Sequence, residues 1–293
     1  MSRTKLTLMI LGVGLVSALA AGGIGAGLAT ALVTQFQNNS RSSPSDVADR
    51  VEHALESETL GELRPYTVYL PDFYARDTDQ TYPVLVVLDG SDRGTEAAQV
   101  TRAFDRADLA PGHLVVSVDN VPRGRSQDLL PPMGEEVDGT TGGADAFLRF
   151  IETELLPDVD SLYRTDDTRL LAGHSFGGLF AAHALTERPG LFDGVLALSP
   201  SFWVADGTSA DRIDSLAASG SPPDVFLYLA IGDETGPMRT RFDALVASLG
   251  DRDTSPFRWR SDVIEGSSHG AVPRLALPMA LREFWMGETA SQP

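Results

Sequence analysis

The sequence predicts an α/β fold in which helices cover both faces of a mostly parallel sheet. Three observations lead to this prediction. Short apolar runs of strand length recur, segments with helical spacing lie between them, and Gly-rich polar turns follow several of the runs. Strands buried on both faces have continuous apolar sequences, and their alternation with helices is typical of parallel sheets. We expect residues 59–293 to form one such domain.

The predicted elements follow one another in regular order. The first strand (RPYTVYL) alternates and is rich in β-forming residues, whereas the second (YPVLVVL) is apolar throughout. The predicted strands are 64–70, 82–88, 113–118, 169–172, 194–198, 225–231 and 258–264. The predicted helices are 144–156, 177–185, 238–249 and 273–286. Ligands of parallel sheets bind beyond the carboxyl ends of the strands, so functional residues are expected directly after strands.

Composition excludes several classes of function. The chain has 293 residues, a net charge of −18 and a pI near 4.5, and no Lys/Arg cluster is evident along it. Such a chain lacks the basic surface that nucleic-acid binding needs. It contains no cysteine, which excludes disulfides, thiolate metal sites and a cysteine nucleophile.

The N-terminal residues 1–33 are predicted to be a signal anchor or a signal peptide. An apolar run from Leu6 to Val33 follows two basic residues, and Ala18–Ala20 would suit a cleavage site. The length of the run favours an uncleaved membrane anchor. In either case the basic residues mark the cytoplasmic side, which places the rest of the chain in the periplasm or outside the cell. Residues 34–58 are polar and predict a tether with a helical segment over 47–55.

The motif Gly-His-Ser-Phe-Gly, residues 173–177, marks the candidate nucleophile Ser175. A Gly-x-Ser-x-Gly pattern alone is weak, but here it follows a predicted strand and opens a predicted helix. That context is typical of a sharp, strained turn that lifts a serine hydroxyl above the sheet. The alternative is a Gly-rich turn with a bystander serine.

A serine nucleophile needs a general base, and elimination among the five histidines selects His269. His53 lies in the predicted tether and His113 begins a strand at the opposite end of the sheet. His174 and His183 belong to the nucleophile's own strand and helix. His269 follows the last strand, where the order Ser, acid, His places the base.

The acid that orients the base is expected after the strand at 225–231. Asp233 and Glu234 are both available there, and only one can face His269. We favour Glu234 narrowly, and the other acid would cap the following helix. For the oxyanion, the backbone N–H groups of Phe176 and Ser91 are the candidate donors.

These stretches resemble the "Putative esterase" branch of the α/β-hydrolases. The likeness is greatest to enterochelin esterase-like periplasmic hydrolases, with S-formylglutathione hydrolases, feruloyl esterases and mycolyltransferases as further relatives. The segments that carry it are YTVYLPDFY, YPVLVVLDG, RSQDLLP, GGADAFLRFIETELLPDVDSLYRT, RLLAGHSFGGLFAAHAL, LFDGVLALSPSFW and SSHG, in that order. The resemblance implies the α/β-hydrolase fold, Ser175 as nucleophile and His269 as base.

The resemblance also implies substrate-binding residues. Arg125 would bind an acidic substrate or pair with Asp128, while Phe202 and Trp203 would cradle an acyl or aryl group or simply pack in the core. The predicted activity is serine-dependent hydrolysis of a small-molecule carboxylic ester through an acyl-enzyme, without metal or cofactor. Acyl transfer on the same residues is the enzymatic alternative, and a non-catalytic binding protein on this fold is the alternative from another class.

Overall fold

A computed structural model describes residues 50–121 and 124–289. The predicted anchor or signal peptide and residues 34–49 of the predicted tether lie outside the described residues. The described chain forms an eight-stranded sheet with the strand order β1-β2-β4-β3-β5-β6-β7-β8. The strands are β1 (Arg50–Ser57), β2 (Glu62–Tyr69), β3 (Tyr82–Val87), β4 (Leu114–Val118), β5 (Thr165–His174), β6 (Gly194–Leu198), β7 (Phe226–Ile231) and β8 (Arg258–Val263).

The sheet is mostly parallel, as predicted. β2 pairs antiparallel with both β1 and β4, and the pairs from β4 through β3 to β8 are all parallel. Every residue of β3, β6 and β7 is buried, which explains their continuous apolar sequences. β8 lies at the sheet edge and is only partly buried, which suits its polar sequence RWRSDV.

Helices cover both faces of the sheet. They are α1 (Ser91–Arg106), α2 (Arg125–Leu129), α3 (Ala144–Phe150), α4 (Leu156–Leu162), α5 (Phe176–Glu187), α6 (Thr208–Ala217), α7 (Gly236–Gly250) and α8 (Val272–Thr289), with a π-helical turn at Ile151–Leu155 and a 3-10 turn at Val204–Gly207. Buried residues of α1 and α8 pack on one face. Buried residues of α3 to α7 form a larger core on the other. The predicted α/β architecture is therefore confirmed.

The predicted domain boundary at residue 59 is wrong, because the sheet begins at Arg50. Residues 50–57, predicted to belong to the tether, form β1 and pair with β2 along its whole length. Their exposure alternates: Val51, His53 and Leu55 are half-buried, and the residues between them face solvent. This period of two belongs to an edge strand, so the predicted helix over 47–55 is also wrong where the structure describes it.

The parallel strands bring distant parts of the chain to one edge of the sheet. The carboxyl ends of β3, β5, β6, β7 and β8 lie side by side, because their registers pair residue by residue. The segments that follow these strands contain, in order, Asp89, Ser175, Ser201, Glu234 and His269. Within residues 50–121 and 124–289, no helix is long and apolar enough to cross a membrane.

Candidate active site

Ser175 lies on a strained turn between β5 and α5. Its backbone angles are φ 60° and ψ −115°, which a non-glycine residue adopts only when the surroundings enforce them. The amide of Ser175 donates to the Leu198 carbonyl (3.0 Å), and its own carbonyl accepts from the Leu179 amide (3.0 Å). The predicted sharp turn is therefore present.

Gly173 of the motif and Gly178, directly after it, allow the turn to pack closely on itself. A Cβ on Gly173 would lie 2.0 Å from the carbonyl oxygen of Gly177. A Cβ on Gly178 would lie 3.1 Å from both the Leu198 carbonyl oxygen and the Cα of Pro200. The turn therefore leaves no room for a side chain at position 173, and one at position 178 would have to displace the backbone after β6 by a few tenths of an ångström.

The hydroxyl of Ser175 contacts a second serine. Its Oγ lies 3.3 Å from Oγ of Ser201, which follows β6, and the Ser201 amide donates to the Ser175 carbonyl (3.1 Å). Ser201 is 2% exposed. The nucleophile candidate therefore has a neighbouring hydroxyl as a hydrogen-bond partner.

His269 and Glu234 form a hydrogen-bonded pair. Nδ1 of His269 lies 2.8 Å from Oε1 of Glu234, whose side chain is 8% exposed. The other carboxylate oxygen, Oε2, accepts from the Gly232 amide (2.6 Å). Burial opposes ionisation, but the Ser199 hydroxyl, His269 and the Gly232 amide together hold the pKa of Glu234 below its usual value. Glu234 is thus ionised beside the imidazole at neutral pH.

Asp233, the other acid left open by the sequence, faces elsewhere. Its side chain is exposed and its Oδ1 accepts from the Gly266 amide (3.1 Å). Its own amide donates to the Ser267 carbonyl (2.9 Å). The expectation that the second acid caps the following helix is wrong, because the cap residue of α7 is Thr235 and no side chain bonds the helix end. Asp233 instead ties the loop after β7 to the loop that carries His269.

His269 also contacts His174, the residue before Ser175. The two rings lie 4.5 Å apart between centroids, and Nε2 of His174 lies 2.8 Å from the backbone oxygen of His269. Burial, followed by the nearby charges of His269 and Arg93, lowers the pKa of His174 to about 4. The fold therefore brings the loop after β8 directly against the nucleophile turn.

The other three histidines have partners away from this turn. His53 hydrogen-bonds the Tyr163 hydroxyl (2.6 Å), His113 accepts from the Trp285 indole (3.2 Å), and His183 pairs with Asp145 (2.8 Å). These three histidines therefore bond residues other than Ser175, although His53 lies in β1 and not in a tether.

The two predicted oxyanion donors are the first residues of helices. Phe176 begins α5 after β5, and Ser91 begins α1 after the neighbouring strand β3. N–H groups in the first turn of a helix have no acceptor within it, and they carry the positive end of the helix dipole. Both amides are thus available for an anion at the carboxyl edge of the sheet.

Arg125 pairs with Asp89 and not with Asp128, the protein partner expected from the sequence. Its guanidinium makes a bidentate ion pair with Asp89 (2.5 and 3.0 Å), a residue that also accepts from Asn120. Asp128 is 4% exposed and pairs instead with Arg64 (2.6 and 2.9 Å). The possible Arg125–Asp128 pair is therefore wrong, because α2 turns the two side chains in different directions.

The aromatic residues after β6 separate into a core residue and a surface residue. Phe202 is fully buried within the larger core, which supports core packing for this side chain. Trp203 is 43% exposed, and its ring lies 6.3 Å from that of Phe176. The Phe176 ring also contacts Arg125, whose guanidinium carbon lies 5.4 Å from the centroid of that ring. Arg125, Phe176 and Trp203 therefore form a series of contacts along the rim of the site.

A polar cavity of about 390 Å³ lies beside His174 and was not predicted from the sequence. It is lined by Asp89, Arg93, Glu96, Asn120, Arg125, His174 and Arg274. The three arginines are far apart in the chain and meet only through the fold, which is why no basic cluster is evident in the sequence. Glu96 lies between two of them, 3.2 Å from Arg93 and 2.6 Å from Arg274. Across the part of the chain that the structure describes, no group of three or more His, Asp or Glu side chains could hold a metal ion.

Comparison with known proteins identifies relatives that share this arrangement of elements. The chain is 38% identical over 133 residues to the siderophore triacetylfusarinine C esterase of Aspergillus fumigatus, covering 41% of this chain and 44% of the relative. It is 30% identical over 212 residues to the ferri-bacillibactin esterase BesA of Bacillus subtilis, covering 65% and 73%. The chain thus spans about half the length of the fungal relative and about three quarters of the bacterial one.

Among solved structures, an IroE-like serine hydrolase from Shewanella oneidensis superposes with a TM-score of 0.75 at 26% identity, covering 81% of this chain and 80% of the other. The sequence profile of the family described as "Putative esterase" matches residues 57–271, which include every site residue predicted from the sequence. The chain therefore belongs to the "Putative esterase" family of α/β-hydrolases.

Proposed function

We propose that this chain hydrolyses carboxylic esters, with Ser175 as nucleophile, His269 as general base and Glu234 as the acid that orients the base. The observation that carries the proposal is the 2.8 Å contact between Glu234 and His269, next to a serine held at φ 60°. A buried ionised carboxylate on Nδ1 fixes the tautomer of the imidazole and leaves Nε2 free to take a proton.

The reaction proceeds in two halves. Oγ of Ser175 attacks the carbonyl carbon while His269 Nε2 removes its proton, and the resulting tetrahedral intermediate expels the alcohol, which takes that proton from His269. Water then attacks the acyl-enzyme with His269 as base, and the carboxylic acid leaves as Ser175 regains its proton. Each half develops one negative charge on the carbonyl oxygen. The Phe176 and Ser91 amides are the donors we assign to that oxygen.

Before substrate binds, the hydroxyl of Ser175 is partnered by Ser201 (3.3 Å). We expect Oγ of Ser175 to exchange this partner for Nε2 of His269 when the ester enters. Hydrogen bonds of a catalytic serine are often long or misdirected without substrate and tighten in the complex.

We further propose siderophore esters as the substrate class. Two of the relatives are named as siderophore esterases, and the cavity beside His174 presents three guanidinium groups in a chain of net charge −18. Guanidinium groups suit the anionic oxygens of an iron-binding ligand, and their charge-assisted hydrogen bonds are stronger than neutral ones. Trp203 and Phe176 offer an aromatic rim for the aryl or acyl part of the ester.

The test compares p-nitrophenyl butyrate, ferri-bacillibactin and iron-loaded triacetylfusarinine C as substrates. We expect Ser175→Ala to abolish hydrolysis of all three. Arg274 is mostly exposed, so Arg274→Gln should leave folding intact, raise KM for the siderophores about fivefold and leave KM for p-nitrophenyl butyrate unchanged. Arg239→Gln, on α7, is the matched control. Hydrolysis by the Ser175→Ala protein would refute the activity, and equal effects of Arg274→Gln on all three esters would refute the substrate class.

We also propose an extracytoplasmic location for the catalytic domain, which rests on the apolar run of residues 6–33 and the basic residues before it. Fusion of alkaline phosphatase after residue 293 tests it in a bacterial host. An active fusion enzyme is expected, and an inactive fusion with full-length expression would contradict the proposal.

A further inference from the structure

The loop that carries His269 is held at its ends by short backbone contacts. The Ser267 amide donates to the Ile264 carbonyl (3.2 Å), and the Ala271 amide donates to the Ser268 carbonyl (2.9 Å). His269 itself belongs to neither β8 nor α8, and its side chain is 41% exposed. Glu234 orients the ring at Nδ1, and a contact to the loop backbone would hold the loop itself in place.

His174 supplies that contact from the rigid side of the site. It is the last residue of β5, inside the sheet, and it is followed directly by Ser175. Its Nε2 lies 2.8 Å from the backbone oxygen of His269, and its ring lies 4.5 Å from the His269 ring with a tilt of 43°. A carbonyl oxygen only accepts hydrogen bonds, so Nε2 of His174 carries the hydrogen and donates it.

The imidazole of His174 is suited to this role because it stays neutral. Burial and the charges nearby lower its pKa to about 4, so it adds no positive charge beside His269 at neutral pH. Nε2 of His174 cannot also act as the base, because it already donates its hydrogen to the backbone oxygen of His269. The same residue thus connects the strand that presents the nucleophile to the loop that presents the base.

We propose that His174 is a positioning residue that fixes the His269 loop through the Nε2–H to carbonyl hydrogen bond and the contact between the two rings. The inference deepens the proposed function and rests on it, since it assumes that His269 is the base. A displacement of about 1 Å in a catalytic group can cost about 10²-fold in rate. For p-nitrophenyl butyrate, which has no anionic group for the cavity beside His174, the contact should therefore affect kcat far more than KM, because His174 acts through the base.

Three substitutions at His174 separate the effect of its hydrogen bond from the effect of its ring contact. His174→Leu removes both, His174→Phe keeps a ring without a donor, and His174→Gln keeps a donor at the distance of Nε2. We expect kcat for p-nitrophenyl butyrate to fall about 30-fold in the Leu and Phe variants, with KM changed less than threefold. The Gln variant should recover kcat to within about fivefold of the original chain. Melting temperatures establish that each variant is folded.

A second measurement, by NMR, reports directly on the mobility of the His269 ring. In the original chain, the Cε1–H resonance of His269 in a ¹H–¹³C NMR spectrum should be single and sharp, assigned by its loss in His269→Gln. It should broaden or split in His174→Leu and sharpen again in His174→Gln. A kcat for folded His174→Leu within threefold of the original, or equal losses in the Leu and Gln variants, would overturn the proposal.

Failure of the proposed function gives a different pattern. If the original chain shows no hydrolysis that depends on Ser175, the esterase proposal fails. The NMR comparison then decides the positioning role alone, and an unchanged His269 resonance in His174→Leu would overturn it.

Discussion

Replacement of Glu234 by glutamine tests how the pair with His269 contributes to catalysis. The variant keeps the size of the side chain and removes its charge. Transfer of the serine proton turns His269 into an imidazolium, and Glu234, at 2.8 Å from Nδ1 and 8% exposed, is placed to stabilise that charge. Two unit charges about 4 Å apart attract each other by about 4 kcal/mol at an effective dielectric constant near 20.

A loss of that size corresponds to about a 10³-fold decrease in kcat, since each 1.36 kcal/mol is a factor of ten in rate. The Gly232 amide, which donates to Oε2 of Glu234 at 2.6 Å, adds to the penalty when the glutamine NH₂ group faces it. The assay is steady-state hydrolysis of p-nitrophenyl butyrate at pH 7.5. We expect kcat to fall about 10³-fold and KM to change little.

Asp233→Asn is the matched control, since it removes a neighbouring carboxylate that is exposed and bonded to the Gly266 amide. Its amide oxygen can still accept that bond, so kcat should stay within about threefold. A fall of less than tenfold in Glu234→Gln, or an equal fall in both variants, would refute the reasoning.

Three further predictions concern stability. Burial lowers the pKa of His113 to about 4. In the unfolded chain the His113 imidazole takes up a proton near pH 6.5, so the stability of the folded chain is complete above that pH and falls as the pH drops towards 4. In urea titrations, His113→Gln should reduce the slope of unfolding free energy against pH by about 1 kcal/mol per pH unit near pH 5. An unchanged slope would contradict this. Gly173→Ala puts a methyl group 2.0 Å from a carbonyl oxygen and should cost more than about 3 kcal/mol by thermal denaturation. Gly134→Ala, with no atom within 4 Å, should change stability by less than about 0.5 kcal/mol, and similar effects of the two would refute the packing argument. Asp128→Asn breaks a buried ion pair with Arg64 and should lower the free energy of unfolding by about 3 kcal/mol. The double variant Arg64→Met/Asp128→Leu should recover most of that loss. No recovery in urea titrations would show that the ion pair is itself stabilising.

The central part of the fold was predictable because burial on both faces leaves a strong signal. β3, β6 and β7 are apolar without interruption, and their predicted bounds match the structure within one residue. The edge strand β1 left a weaker signal. Its inward residues are Val, His and Leu, and its outward residues are mostly charged. Such a polar segment with few apolar residues has the composition of a tether, which is why the sequence predicts one there.

The helix α1 was missed for a related reason. The residues that it buries against the sheet are small, with Ala97, Ala98 and Thr101 on the inner side, and charged residues occupy much of the rest. Small residues allow close packing on a sheet and give little apolar contrast. The sequence pattern therefore predicts no helix between β3 and β4, where the structure has one that begins at Ser91.

For the candidate site, some features follow from the order of residues along the chain and others depend on side-chain geometry. The positions of Ser175 and His269 follow from chain order, because each is tied to a recognisable strand end. The choice between Asp233 and Glu234 depends on side-chain direction in one turn, which sequence alone does not determine. The partners of Arg125 and the meeting of Arg93 with Arg274 depend on how α1, α2 and α8 pack, so no local pattern contained them.

Labelling with a fluorophosphonate probe tests the central claim most directly, because the probe reacts only with an activated serine. The bond between Arg188 and Pro189 resists trypsin, so Ser175 and its neighbour Ser201 fall in one tryptic peptide, and fragment ions must locate the modification. We expect one label per chain, on Ser175, and its loss in both Ser175→Ala and His269→Gln. A label on Ser201, or labelling that persists in His269→Gln, would contradict the assignment of Ser175 and His269.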